Sequence, residues 1–232
     1  MKILITGASK GIGAAIAAEV IHDASALMLV SRSEDLLFDV KEKIAIHNPD
    51  CEISVFAGDV AEESDVEKLS TEISNNYSNL DALINCAGFA IPPTSVQETT
   101  PEIWKEMFRV NVFSAYLMTR SLIPLLSKSN APSIVNIGST AGISARPGWS
   151  AYAASKAAMV NFSNTMAEEL KPYGIRVHCL APGRTATELR KVLAPDEDQS
   201  TIMQPDAVAR VTRFLIGPDA DVISGQTIQV RL

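Results

Sequence analysis

Short apolar runs alternate with longer segments of helical periodicity along the whole chain. The apolar runs predict seven β-strands, at Lys2–Thr6, Ala26–Ser31, Glu52–Ala57, Leu80–Asn85, Ser133–Ile137, Ile175–Leu180 and Gln226–Val230. Apolar strands that are joined by helices are typical of a parallel sheet covered on both faces. The pattern therefore predicts an α/β fold with a doubly wound, seven-stranded parallel sheet and helices on both of its faces.

Helical periodicity fills the intervals between these strands. It predicts helices at Ile12–Val20, Glu34–Ile46, Ser64–Asn75, Pro101–Leu126, Ser150–Leu170 and Pro205–Ile216. Pro124 is expected to kink or end the fourth helix, because proline lacks a backbone N–H. The charged segment 184–204, centred on Glu188–Ser200, is expected to form a mobile flap. Since no repeat or linker interrupts residues 1–232, we expect a single domain.

The composition is that of an ordinary globular protein, with 47% hydrophobic and 20% charged residues. A net charge of −7 argues against general affinity for nucleic acid or an anionic membrane surface. No apolar run is long enough to span a bilayer, and the first strand leaves no room for a signal peptide, so we expect a cytoplasmic protein. The cysteines (Cys51, Cys86, Cys179) are interpreted as reduced core thiols, the histidines (His22, His47, His178) as structural, and no metal-ligand cluster is visible.

A glycine-rich turn, Thr6-Gly7-Ala8-Ser9-Lys10-Gly11-Ile12-Gly13, joins the first strand to the first helix. Gly7 permits the tight turn, Gly11 lets the backbone approach a pyrophosphate, and Gly13 lets helix and strand pack closely. The helix N-terminus offers free N–H groups to phosphates. A plain βα turn is the alternative, but the position of the motif favours a nucleotide cofactor.

The end of the second strand bears on which dinucleotide would bind. An NAD site usually places an acid there to accept a hydrogen bond from the ribose. Here the residues are Ser31-Arg32-Ser33, and Lys10 could lie on the same side. Two cations and two hydroxyls suit a 2′-phosphate, although solvated surface bases are the alternative. The sequence therefore favours NADP(H).

Tyr152 and Lys156 are four residues apart in a predicted helix, and Ser139 lies thirteen positions upstream. That spacing places the phenol and the ammonium on one face of the helix. A cation beside the phenol is expected to lower its pKa, which is near 10 when unperturbed. Together with a nucleotide site, an acid of tuned pKa indicates hydride transfer to a carbonyl.

These motifs, in this order, resemble those of the short-chain dehydrogenase/reductase family in its single-domain, Rossmann-type form. Asp59-Val60 matches the pair that contacts adenine, and Asn85-Cys86-Ala87-Gly88 is similar to the family's N-N-A-G. Pro182-Gly183-Arg184-Thr185-Ala186-Thr187 resembles the segment that holds the nicotinamide carboxamide. Asn111, Ser139, Tyr152 and Lys156 match the catalytic tetrad.

The resemblance implies a role for each of these positions. Tyr152 would be the general acid, Lys156 would lower its pKa and bind the nicotinamide ribose, and Ser139 would hydrogen-bond the substrate oxygen. Asn111 would anchor a water that links Lys156 to solvent; without the resemblance it would be interpreted as a surface or capping amide. The implied cofactor-binding residues are Gly7, Ser9, Lys10, Gly11, Ile12, Gly13, Ser31, Arg32, Asp59, Val60, Asn85, Ala87, Gly88, Tyr152, Lys156, Pro182, Gly183, Thr185 and Thr187.

The substrate is expected to be a small-molecule ketone or aldehyde, and a 3-oxoacyl thioester is one option. The loops expected to line its pocket contribute Phe89, Ile91, Pro92, Ala141, Ile143, Trp149, Leu189, Val192 and Leu193. Arg146, Arg184 and Arg190 are candidate anchors for an acid, although each is more simply explained as a solvated surface group. The alternatives are a silent NADP(H)-binding sensor and an alcohol dehydrogenase that works in the oxidative direction. A homodimer or homotetramer through Pro101–Leu126 and Ser150–Leu170 is expected.

Overall fold

The computed structural model describes residues 1–232, and all seven strands belong to one parallel sheet. The strands are β1 Lys2–Thr6, β2 Ala26–Ser31, β3 Glu52–Ala57, β4 Ala82–Asn85, β5 Ser133–Ile137, β6 Arg176–Pro182 and β7 Gln226–Val230. Their order in the sheet is β3-β2-β1-β4-β5-β6-β7. This confirms the predicted fold class. Because the order reverses between β1 and β4, the crevice for a ligand opens there, at the carboxyl ends of the strands.

Eight α-helices flank the sheet. They are α1 Gly11–Val20, α2 Glu34–Ala45, α3 Glu63–Asn76, α4 Pro101–Phe108, α5 Ser114–Leu126, α6 Ser150–Glu169, α7 Glu188–Leu193 and α8 Pro205–Ile216. Helices α1, α2 and α8 pack on one face of the sheet, and α3, α5 and α6 pack on the other. The side chains of neighbouring strand residues point to opposite faces of the sheet: Ile3 and Ile5 belong to the first core and Leu4 to the second. Burial on both faces explains why the strands are apolar throughout.

The prediction of one long helix at Pro101–Leu126 needs correction. The predicted helix Pro101–Leu126 is divided by a π-helical segment, Arg109–Phe113, into α4 and α5. Pro124 does not end the helix at that point, because α5 continues to Leu126. The segment 184–204, which is predicted to be a mobile flap, contains the short helix α7, which is capped by the Thr187 hydroxyl accepting a hydrogen bond from the Arg190 N–H at 3.1 Å.

The strand limits differ from the prediction at β4 and β6. Leu80 and Asp81 precede β4, because the Leu80 N–H donates to the Leu125 carbonyl and the Asp81 carboxylate accepts from the Lys2 N–H. Strand β6 extends to Pro182, which is paired with Val230 of β7. Residues 183–187, directly after β6, therefore start at the edge of the sheet where the crevice opens.

Candidate active site

The glycine-rich turn between β1 and α1 has the backbone that its sequence predicts. Gly7 and Gly11 have positive φ angles of 66° and 56°, which side-chain-bearing residues adopt rarely. A Cβ on Gly13 would lie 2.2 Å from the Gly7 carbonyl oxygen, so only glycine lets α1 begin this close to β1. No side chain caps α1 and its first turn holds no acid. Its first N–H groups are therefore available to a phosphate.

The loop after β4 is tied to this turn. The Thr6 hydroxyl accepts hydrogen bonds from the Cys86 N–H at 3.0 Å and the Ala87 N–H at 3.1 Å. A Cβ on Gly7 would lie 2.9 Å from the Ala87 backbone, so the two segments are in close contact. The ends of β1 and β4 thus form one continuous floor.

The cations at the carboxyl ends of β1 and β2 form no ion pairs. Lys10 and Arg32 are exposed, line the same crevice as Ser31 and Ser33, and form no salt bridge. Unpaired cations next to two hydroxyls are the donors that a phosphate monoester needs. The residues at this end of the crevice therefore fit a 2′-phosphate.

Tyr152 and Lys156 lie in the first two turns of α6, and both are buried, with 8% and 5% exposure. The Lys156 ammonium is 5.9 Å from the centroid of the Tyr152 ring and donates to the Ile137 carbonyl at 2.9 Å. Ser139, two residues beyond β5, lines the same cavity, and its hydroxyl accepts from the Ala141 N–H at 3.1 Å. The three side chains converge where β5 ends.

The pKa of Tyr152 is not lowered as expected. Burial raises the pKa of this phenol, while the Ser139 hydroxyl and the Arg190 guanidinium act in the opposite direction. Burial also lowers the pKa of the Lys156 ammonium. Desolvation is the largest effect on the pKa of this phenol and exceeds the lowering by Ser139 and Arg190, and the spacing of residues along the chain does not indicate burial. At neutral pH the phenol therefore keeps its proton and can act as a donor.

Asn111 lies beneath the cavity, in the π-helical segment, and is 1% exposed. Its Nδ2 donates to the Phe89 carbonyl at 2.9 Å and the Ser155 hydroxyl at 3.0 Å, and its Oδ1 accepts from the Phe89 N–H at 2.7 Å. The Ser155 hydroxyl in turn donates to the Tyr152 carbonyl at 2.8 Å. Asn111 therefore connects the loop after β4 to the helix that carries Tyr152.

Asn85, predicted to bind cofactor, does not line the cavity. It is 5% exposed, and its Nδ2 donates to Asn136 Oδ1 at 2.8 Å. The Asn136 amide donates in turn to the Ser163 hydroxyl at 2.9 Å. Asn85 thus joins β4, β5 and α6 below the floor of the site. Alternate residues of a strand face opposite sides of a sheet, which a motif match does not consider.

One cavity of about 640 Å³ spans the crevice, a volume typical of a small-molecule site. Every predicted cofactor-binding residue except Asn85 lines it, as do Ser139, Tyr152 and Lys156. Of the predicted substrate-loop residues, Trp149, Leu189, Leu193, Arg146, Arg184 and Arg190 line it. The residues that do not line it are Phe89, Ile91, Pro92, Ala141, Ile143 and Val192. Phe89, Ile91 and Ala141 instead pack in the apolar cluster around Tyr152.

Comparisons with known proteins agree with this geometry. A sequence model described as short chain dehydrogenase matches residues 1–198. The chain is 31% identical to the oxidoreductase YciK of Escherichia coli K12 over 231 residues, which cover 99% of this chain and 91% of YciK. The chain belongs to the short-chain dehydrogenase/reductase family. It is therefore an oxidoreductase by family, as the resemblance of its motifs predicted.

Solved structures of relatives share the fold of this short-chain dehydrogenase over nearly its whole length. A short chain dehydrogenase from Escherichia coli CFT073 complexed with NADPH is 32% identical, with a TM-score of 0.92 and coverage of 98% of this chain and 95% of that one. A 3-ketoacyl-(acyl-carrier-protein) reductase from Brucella melitensis complexed with NADH is 29% identical, with a TM-score of 0.90 and coverage of 99% and 96%. Both dinucleotides thus occur among its structural neighbours.

Sequence reasoning missed the ion pair that lies over the site of this short-chain dehydrogenase. Arg190 was interpreted as a surface group, but its side chain is 14% exposed and it pairs with Glu197 at 2.5 Å. Its guanidinium carbon lies 5.6 Å from the centroid of the Trp149 ring. The spacing of seven residues between Arg190 and Glu197 is not a pattern that indicates contact. Arg231 also lines the cavity, and its position just after β7 could have indicated this.

No helix of the dehydrogenase is both long and apolar enough to span a membrane.

Proposed function

We propose that the chain is an NADPH-dependent reductase that converts a ketone or aldehyde to an alcohol, with Tyr152 as the general acid. The observation that carries the proposal is that a phosphate-binding turn and the Ser139–Tyr152–Lys156 group line one cavity. When bound, the dinucleotide supplies the hydride. The turn Gly7–Gly13 and the N-terminus of α1 would bind its pyrophosphate, and Lys10 and Arg32 its 2′-phosphate.

Each of the four predicted site residues has a defined task in the reaction. Ser139 donates a hydrogen bond to that oxygen, and Tyr152 donates a hydrogen bond and then its proton as negative charge develops there. Lys156 keeps one ammonium N–H on the Ile137 carbonyl, which fixes its position and leaves two N–H groups for the cofactor ribose. Asn111 holds the Tyr152 helix against the loop after β4.

The reductive direction is favoured by the protonation state of Tyr152. Burial raises the pKa of the phenol, so the group is a proton donor at neutral pH. Oxidation of an alcohol would require the phenolate as the base. The silent-sensor alternative lacks support, because both tyrosine and lysine are retained. Similarity to the Brucella melitensis reductase makes a 3-oxoacyl thioester a second candidate substrate.

The test is NADPH consumption by purified protein against a panel of small ketones, aldehydes, diketones and a 3-oxoacyl thioester. Tyr152→Phe protein is the blank, because this change removes the proton donor and leaves the ring. We expect turnover by the wild type and none above background by the variant. Equal rates in the two proteins would reject Tyr152 as the acid, and no turnover of any carbonyl would reject the reductase.

The cofactor preference is tested with Arg32→Ala. Its guanidinium would bind only the 2′-phosphate, so we expect NADPH affinity to fall about tenfold or more and NADH affinity to change little. Fluorescence titration of both dinucleotides measures this, and Arg120→Ala, a surface arginine on α5, serves as the control. Equal losses for both dinucleotides would mean that Arg32 does not read the 2′-phosphate.

A further inference from the structure

Four arginines surround the substrate end of the cavity, at the carboxyl ends of β5, β6 and β7. We call Arg146, Arg184, Arg190 and Arg231 the arginine rim. Glu188 is the only acidic residue that lines the cavity on this side, since Asp59 follows β3 at the opposite end of the sheet. The whole chain carries a net charge of −7. The arginine rim is therefore a positively charged region on a protein whose net charge is negative.

The four arginines of the rim are not needed to bind the phosphates of the proposed dinucleotide. Its phosphates would be bound by the α1 N-terminus, which follows β1, by Lys10 directly before α1, and by Arg32 at the end of β2. In the sheet, β2 lies on one side of β1, while β5, β6 and β7 lie on the other. The positive charges of the rim are thus additional to those that would bind the dinucleotide phosphates. An anionic group on a second ligand would balance them.

Arg190 is the member of the rim best placed to bind that anion. Its guanidinium stacks over Trp149, whose ring meets the Tyr152 ring edge-on with centroids 5.9 Å apart. Glu197 holds it with contacts of 2.5 and 2.8 Å, and the same carboxylate accepts from Arg184 at 3.2 Å. One carboxylate shared by two guanidinium groups leaves a positive charge beside the proposed proton donor.

The walls next to Arg190 are apolar. Trp149, Leu189 and Leu193 line the cavity and pack against the cluster that contains Tyr152. A ligand that reaches Tyr152 must therefore place an apolar body against these side chains while its charged end meets the rim. A free inorganic anion would leave that apolar surface uncovered, which favours an amphipathic ligand.

We infer that the substrate is a carbonyl compound with an apolar body and a carboxylate a few bonds from the carbonyl, bound through Arg190 with help from Arg184. This inference rests on the proposed reductase function and names the substrate class of the same site. The carboxylate is not transformed; it orients the carbonyl toward Tyr152 and Ser139. A phosphate in place of the carboxylate would share the same recognition chemistry.

The experiment compares oxo acids with their methyl esters, with NADPH as the hydride donor. Benzoylformate and 4-oxo-4-phenylbutanoate, each beside its methyl ester, vary the distance from the carbonyl to the charge. A phosphonate analogue of the longer acid distinguishes recognition of a carboxylate from recognition of a phosphate-like anion. The quantity measured is the acid-to-ester ratio of kcat/KM, because intrinsic reactivity cancels when the same ratio is compared between proteins.

We expect Arg190→Gln to lower the acid-to-ester ratio by about 10- to 100-fold, the loss that follows removal of a charge-assisted hydrogen bond. Arg184→Gln should lower it less, and Arg190→Lys should keep part of it because the charge remains. Arg120→Gln, remote from the cavity, should leave the ratio unchanged. NADPH titration of each variant verifies that the dinucleotide site is intact.

A second measurement in the wild-type enzyme covers the case in which Arg190→Gln does not fold. Raising the ionic strength from about 0.02 to about 0.2 M should raise KM for the acids and not for the esters. An unchanged acid-to-ester ratio in both Gln variants, or equal salt dependence of acids and esters, would overturn the inference. Reduction of uncharged carbonyls without reduction of any acid would overturn it and leave the proposed function standing. No reduction of any carbonyl would overturn both.

Discussion

Tyr152 illustrates how burial competes with charge at the level of a single residue. The four-residue spacing to Lys156 did bring both side chains into one buried site. The phenol is nevertheless held above its usual pKa, because desolvation penalises the phenolate more than its neighbours favour it. The spacing predicted which residues would meet, but the degree of burial decided the direction of the pKa shift.

The pKa of Tyr152 can be measured in the protein without added ligand. We expect the phenol not to ionise below about pH 10, its unperturbed pKa, because burial shifts the pKa upward. The difference in ultraviolet absorbance between wild type and Tyr152→Phe during alkaline titration isolates this group. An ionisation near neutral pH would show that Lys156 stabilises the phenolate after all.

At the scale of elements, the π-helical segment between α4 and α5 brings a buried amide to the site. Segments of this kind are rare and frequently occur at functional sites. The segment directs Asn111 toward both Phe89 and Ser155. Helical periodicity from Pro101 to Leu126 predicted the helix, but the extra residue in one turn has no signature in a hydrophobic pattern. Only the contacts with α6 and the loop after β4 reveal it.

Asn111→Ala is expected to destabilise the protein and slow the reaction. It removes three hydrogen bonds, one buried and two partly buried, and leaves the Phe89 N–H unpaired, which should lower the free energy of unfolding by about 2 to 3 kcal/mol. Urea unfolding and kcat/KM measure the two effects. Ser155→Ala, which removes one of these three bonds and the bond to the Tyr152 carbonyl, should cost less. A larger loss in Ser155→Ala would show that Asn111 is not the centre of this connection.

At the scale of the whole molecule, the stability of the fold depends on pH because His178 of β6 is buried in the sheet. The residue is 0% exposed, and neither ring nitrogen has a protein hydrogen-bond partner. Burial, with a contribution from Arg176, lowers its pKa from 6.5 to about 4. Between these two pKa values the unfolded chain binds a proton at His178 and the folded protein does not.

The stability that comes from neutral His178 is therefore complete above pH 6.5 and is lost as the pH falls toward about 4. Between about pH 7 and about pH 5 we expect the wild type to lose about 2 kcal/mol more unfolding free energy than His178→Met. Urea unfolding at the two pH values gives this difference. Equal losses in both proteins would mean that His178 is protonated or solvated in the folded state.

Self-association is proposed for the outer surface of α4 and α5, as the sequence led us to expect. Phe113 and Tyr116 are 44% and 40% exposed and stack with ring centroids 5.6 Å apart, and Trp104 stacks on Phe108 at 6.0 Å. Exposed paired aromatics favour an interface. We expect a dimer or tetramer in sedimentation, and Phe113→Asp to shift it toward monomer. A monomeric wild type would exclude this surface as an interface.

The sequence by itself determined the parallel sheet, the positions of nearly all helices and strands, and the family. These features depend on local periodicity and on glycines whose backbone geometry no other residue replaces, such as Gly7 and Gly13. Only the tertiary structure decided that Asn85 lies below the cavity, that burial raises the pKa of Tyr152, and that Arg190 is held by Glu197 over Trp149. Those properties depend on which side chains meet at the edge of the sheet and on how much water they exclude. The spacing of residues along the chain predicts neither.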